Sequence, residues 1–196
     1  IFPSLVPVLA RSGRSPYNPH RPVRTPDEHS TVRALGRAAA AVVLLRAIFR
    51  REGSREGSRA STVREFESVS RVAGELARSA DVEGVARTLL DELAELFDIG
   101  FAALTFVSDD GREAAGYLAR AGGEDLDWWR SVRLDLEREP SGIASAAFEA
   151  QAFTVYDTKS SGLISTRLAG RVGAKSAAFV PLLVQERVTA VISVAT

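Results

Sequence analysis

The chain of 196 residues contains no cysteine and no methionine. Without cysteine there is no disulfide, thiolate metal site, iron–sulfur cluster, nucleophilic thiol or thioether-linked cofactor. Histidine occurs only as His20 and His29, and asparagine only as Asn18. A Ser-His-Asp arrangement therefore has no base anywhere beyond residue 30. Lysine is nearly absent, 2 residues against 23 arginines, a bias given no functional weight. No Gly-x-x-x-x-Gly-Lys phosphate loop occurs, and no strand leads into Gly-x-Gly-x-x-Gly. Asp109-Asp110 and Glu124-Asp125-x-Asp127 lack calcium-loop spacing and read as solvated turns. No spacing sets two carboxylates across a cleft, so glycoside hydrolysis has no support.

What is present divides the chain. With 45% hydrophobic and 26% charged residues it suits one globular domain plus a tail. Residues 1–60 hold 11 Arg and 4 acids, a balance of +7; residues 61–196 hold 14 bases and 21 acids, a balance of −7. Six of the 8 prolines lie before residue 30, and Arg11 to Ser30 has no apolar period, so this stretch is expected to be disordered. Ala38 to Leu45, an apolar run between Arg37 and Arg46, falls far short of the roughly 20 residues of a membrane span. It reads as a short helix ending in Arg46, Arg50 and Arg51, or as a membrane-surface helix. Arg51-Glu52-Gly53-Ser54 repeats as Arg55-Glu56-Gly57-Ser58, a flexible linker that marks a boundary near residue 60. The chain starts at Ile1 and stops at Thr196 inside an apolar run, and is expected to be a piece of a longer protein.

From residue 61 the pattern is periodic. Thr62, Phe66, Val69, Ala73, Leu76 and Ala80 form a short heptad seam, read either as a surface helix packed on its own domain or as a pairing helix in a dimer. Asp81 caps a second helix, whose apolar stripe of Val82, Val85, Leu89, Leu93 and Leu96 lies opposite Glu83, Arg87, Asp91, Glu92 and Glu95. The strand Ile99 to Val107 is apolar on both faces and is expected to be covered on both. Asp109-Asp110-Gly111 turns the chain into a return strand, Arg112 to Ala121. A helical turn carrying Trp128 and Trp129 follows, then a short strand near Val132 to Leu136 and a helix capped by Ser141. Next come a strand Phe153 to Asp157, a helix from Leu163 to Val172 ending at Gly173, and two strands, Ser176 to Val184 and Val188 to Thr196. Strands joined by tight turns imply an α+β fold with an antiparallel sheet of about six strands and helices on both faces. Pro181, inside a strand, lacks an N–H and calls for an unpaired side or a bulge.

These features resemble a GAF domain: Gly142-Ile143 opening a helix, a strand ending in Asp157, a variable loop, and Gly173-Ala174-Lys175-Ser176 leading into Ala178-Phe179-Val180-Pro181-Leu182. The resemblance covers residues 61–196 and departs at Ala190, where the family usually carries Gly, and at the closing C-terminal helix, which this chain lacks. It implies a cytoplasmic, non-catalytic sensory or regulatory module that controls an output domain beyond Thr196 by ligand binding or by dimerisation. The family's best-marked chemistries meet contrary composition. Cyclic-nucleotide binding goes with an Asn-containing pattern, bilin attachment and sulfoxide reduction with Cys, and haem ligation with His, none of which occurs in residues 61–196. No cofactor is therefore expected.

The resemblance places a pocket between one sheet face and the inserted helices, with Tyr117, Trp129, Ile143, Phe148, Asp157, Leu163, Arg167 and Phe179 as its candidates; for the apolar ones, plain core packing is the competing reading. Trp128 and Trp129 cannot both point inward from a regular segment. Arg167, Arg171 and Lys175, spaced by four, form a basic stripe that either holds an anion or is a solvated face. Asp157 either meets a ligand or caps its loop. Phe66, Val69, Ala73 and Leu76 are the candidates for a homodimer helix. The alternative function gives residues 11–59 the work of binding nucleic acid or an anionic membrane, with the domain as scaffold.

Overall fold

The computed structural model describes residues 81–162 and 164–196. The expected basic tail, the linker, the dimer-helix candidates Phe66, Val69, Ala73 and Leu76, and Leu163 lie outside the described residues.

Helix α1, Val82–Phe97, starts where the Asp81 carboxylate accepts the N–H groups of Glu83 (3.0 Å) and Gly84 (3.1 Å). It stops at Asp98, whose φ of 51° is left-handed and whose N–H returns to the Ala94 carbonyl. Its buried stripe is Val85, Ala86, Leu89, Leu90 and Leu93. Glu92, expected on the outer face, is buried at 9% exposure. Three residues beyond Leu89, it borders the stripe rather than opposing it.

The remaining elements are β1 (Phe101–Val107), β2 (Glu113–Ala121), β3 (Glu124–Asp125), a 3-10 turn (Asp127–Ser131), β4 (Arg133–Asp135), α2 (Gly142–Glu149), β5 (Phe153–Val155), α3 (Thr166–Val172), β6 (Ala177–Val184) and β7 (Arg187–Ala195). The strands form one antiparallel sheet in the order β3-β2-β1-β7-β6-β5, with β4 also on β2. Among the described residues the count is 7 strands, the addition to the expected set being the two-residue β3 inside the segment read as helical. The α+β architecture is that inferred from the sequence.

Central β1 is buried at every position. Its Ala102, Leu104 and Phe106 join the stripe of α1 in one core, while Phe101, Ala103 and Val107 join residues of the 3-10 turn, α2 and α3 in another. The two-sided cover follows from the strand's composition.

The pairing of β1 with β2 slips between Leu104 and Thr105: Leu104 faces Leu118 and Thr105 faces Gly116, leaving Tyr117 as the extra residue of a bulge. The 3-10 turn lies directly on this irregularity. A β-carbon at Gly116 would collide with the Trp129 carbonyl oxygen, so only glycine allows the approach. The Gly116 N–H donates to the Val132 carbonyl (3.1 Å), and the Trp129 Nε1–H donates to the Leu104 carbonyl (3.1 Å).

Pro181 lies past the reach of β5, which pairs only with Ala177, Ala178 and Phe179. Among the described residues no strand pairs with β6 on that side at position 181, and the pairing with β7 shifts just beyond it, between Leu182 and Leu183. Both conditions that a strand proline calls for are met here.

Candidate functional site

The cleft lies where the sheet and its short helices fail to close. Its floor is the face of β1, β6 and β7 carrying Phe101, Phe179 and Ser193; its roof is Ile143 of α2 with Leu168 and Val172 of α3. Trp129 closes one side, and the open volume is about 50 Å³. The Ser141 hydroxyl accepts the Ala144 N–H (3.1 Å) and so fixes the start of α2 at the rim. Gly142 rests on the Phe179 ring, into which a β-carbon would intrude. Phe153 stacks on the same ring, with centroids 5.3 Å apart. Helix α3 ends at Gly173, with a left-handed φ of 72°, and its roof residues Leu168, Ala169 and Val172 are only partly buried.

The lining is chemically quiet. Among the described residues no titratable side chain lines the cleft. Ser141 is committed to its cap, the Thr158 hydroxyl donates to the Ala174 carbonyl, and Ser165 is half-exposed. Ser193, at 5% exposure, has no hydrogen-bond partner for its Oγ among the described residues. Among those residues no three His, Cys, Asp or Glu side chains meet in a way that would hold a metal ion.

A second hollow, of about 250 Å³, adjoins the first and shares Phe101, Val172, Ala174 and Ala195 with it. Its charged wall is Arg171, whose guanidinium carbon stands 4.3 Å from the centre of the Trp128 ring. Thus Trp129 points inward and Trp128 lies in the neighbouring hollow, a division a regular segment demands.

Of the eight residues proposed from the sequence, Trp129, Ile143 and Phe179 line the cleft. Tyr117 lies on the opposite face, its ring 4.9 Å from that of Phe106. Simple alternation from Leu118 sends Tyr117 toward the cleft; the bulge at that residue turns it to the α1 side. Phe148 is 58% exposed, because α2 turns Ile143, Ala144 and Ala146 inward and position 148 falls on the outer side. Asp157 is exposed and accepts the Lys159 N–H (3.0 Å) as a loop cap; the Ser160 hydroxyl and that N–H hold its carboxyl below the usual carboxylate range. Arg167 is exposed, 3.7 Å from Glu139. The basic stripe does not form, because Gly173 ends α3 before Lys175. Ser193 was not among the candidates. Its signal is a single hydroxyl in the apolar run Ala190 to Ala195.

A family profile described as the GAF domain matches residues 79–196. The fold is similar to the GAF domain from a phosphoenolpyruvate-protein phosphotransferase of Coxiella burnetii, with TM-score 0.57 and 11% identity over 67% of this chain and 76% of that one. It is also similar to the free methionine-R-sulfoxide reductase of Neisseria meningitidis solved with its substrate, with TM-score 0.56 and 15% identity over 72% and 77%. A methyl-accepting chemotaxis protein matches with TM-score 0.52 and 16% identity over 63% and 77%. The search of curated proteins gives no match.

Proposed function

The chain belongs to the GAF domain family, and from that premise we propose that it is a non-catalytic sensory module that binds a small molecule between its sheet and the α2–α3 roof. GAF domains are generally sensory or regulatory parts of signalling proteins. The observation that carries the reading is the lining: among the described residues the cleft is apolar and holds no titratable group, which supports binding rather than proton transfer. Among the described residues no helix is long and apolar enough to cross a membrane.

The roof supplies the response. Helix α3 has 7 residues and no side-chain hydrogen bond at its start, so occupancy of the cleft repacks it at small cost. We propose further that the module works in the cytoplasm as a dimer through the helix at residues 62–80, and that the repacking biases an attached output domain. The test is a methyl NMR screen of the full chain against uncharged and anionic organic compounds smaller than benzene, since the cleft's volume of about 50 Å³ is well below the ~150 Å³ at which a cavity accepts that ring. Bound compounds are expected to shift Ile143, Leu168 and Val172, and Ala169→Leu, which fills the cleft, is expected to abolish the shifts. Binding that the filled variant leaves unchanged removes the proposal.

A further inference from the structure

We propose that the hollow beside the cleft is a second binding site, one that takes a monocarboxylate with an apolar body the size of an aromatic ring, its carboxylate held by Arg171. Every other arginine among the described residues meets a carboxylate or a backbone carbonyl. Arg171 makes no hydrogen bond or ion pair with any of them; its contact is the stack over the Trp128 ring. Stacking occupies the flat face of a guanidinium. The in-plane N–H donors stay available, and their fork matches the two oxygens of a carboxylate. The platform under Arg171 is itself held: Trp128 meets Trp129 edge-on, with centroids 5.4 Å apart, and Trp129 is anchored to the Leu104 carbonyl.

The other walls fix the rest of the ligand. Phe101, Leu126 and Val172 are apolar, and no acidic side chain lines the hollow. Thr196, at its rim, is committed elsewhere: its hydroxyl pairs with that of Ser176 (2.6 Å), and its carbonyl oxygen accepts the Lys175 N–H (2.7 Å). A second negative charge on the ligand therefore finds no partner, which limits the class to monocarboxylates. Arg171 is exposed, and an ion pair with an exposed guanidinium is weak by itself. Burial of an apolar body against Phe101, Leu126 and Trp128 has to supply the remainder. The hollow has the room, since about 250 Å³ exceeds the ~150 Å³ in which a cavity takes up benzene.

Three probes of nearly equal shape separate charge from bulk: phenylacetate, 2-phenylacetamide and 2-phenylethylammonium. Each is titrated into the full 196-residue chain and followed by the indole N–H resonance of Trp128 and by the methyls of Ile143 and Leu168, which line the cleft and not the hollow. Phenylacetate is expected to shift the Trp128 resonance and to bind more tightly than the amide, with the ammonium weakest. Arg171→Gln is expected to weaken phenylacetate about tenfold and to leave the amide unchanged. Arg171→Lys, which keeps the charge and gives up the fork, is expected to retain a reduced preference for the anion. Equal affinity of phenylacetate and the amide, or indifference of phenylacetate to Arg171→Gln, overturns the proposal. So does an affinity that falls as protein concentration rises, which assigns the hollow to a second copy of the chain. Shifts confined to Ile143 and Leu168 overturn it while supporting the cleft as a site, and silence of Trp128 toward all three probes overturns it without touching the reading of the cleft.

Discussion

One sheet carries two covers of opposite character. On one side α1, 16 residues long and capped at both ends, seals the face so that Leu89, Leu90 and Leu93 have no exposed surface. Its outer edge is tied to β2, β3 and the 3-10 turn: the Arg87 guanidinium bonds to Asp125 (2.7 Å) and, within the helix, to Glu83 (2.9 Å), Arg130 of the turn reaches Glu83 (2.8 Å), and Arg120 bonds to Asp91 and Asp125. On the other side the cover is a 3-10 turn of 5 residues, α2 of 8 and α3 of 7. Three short pieces do not tile a surface as one long helix does, and the uncovered part is the cleft. The strands beneath are the same, so the length and continuity of the covering helix decide whether a face is core or site.

The sharpest break in that comparison comes from the sealed side. Leu89→Ala is expected to cost about 2–5 kcal/mol, because α1 is too well anchored to collapse into the space. Urea unfolding followed by circular dichroism measures it. Next is the join between cover and sheet. Gly142→Ala forces α2 away from the Phe179 ring, with an expected loss of about 1–3 kcal/mol and displaced Leu168 and Val172 methyl resonances. On the cleft roof the expected effect is smaller. Leu168→Ala removes a partly buried side chain that already borders open volume, and a loss of about 1 kcal/mol or less is expected in the same unfolding assay. A loss matching that of Leu89→Ala would erase the distinction between the faces.

The smallest expected effect is in the ionic ties of α1. The Arg87 guanidinium hydrogen-bonded to Asp125 holds that carboxyl below its ordinary value of 3.8. A carboxylate with a lowered folded pKa binds its proton more readily in the unfolded chain. Its contribution is thus fully present above about pH 4 and is lost as pH falls from 3.8 through the lower folded value. Asp125→Asn is expected to flatten that part of the acid-unfolding curve, with a change at neutral pH below about 1 kcal/mol. An unaltered acid slope would show that the tie contributes nothing.

Much of this was readable from local rules. Asp81 and Ser141 announce helix starts because their side chains accept orphan N–H groups, and Gly173 announces a stop because it takes a left-handed conformation. The double apolar face of β1 required two covers. Other placements obeyed partners distant in the chain. Tyr117 changed sides through a slip in pairing with β1, and Gly116 is required by the backbone of the 3-10 turn.

Patterning and caps set where the helices and strands run, which strand is central and that it is buried twice over, since these depend on side-chain period and on hydrogen bonds within a few residues. Folding in three dimensions settled the rest: which residues surround the cleft and that it has room. Those outcomes arise from how separate segments fit against each other, and that fit has no local record in the chain.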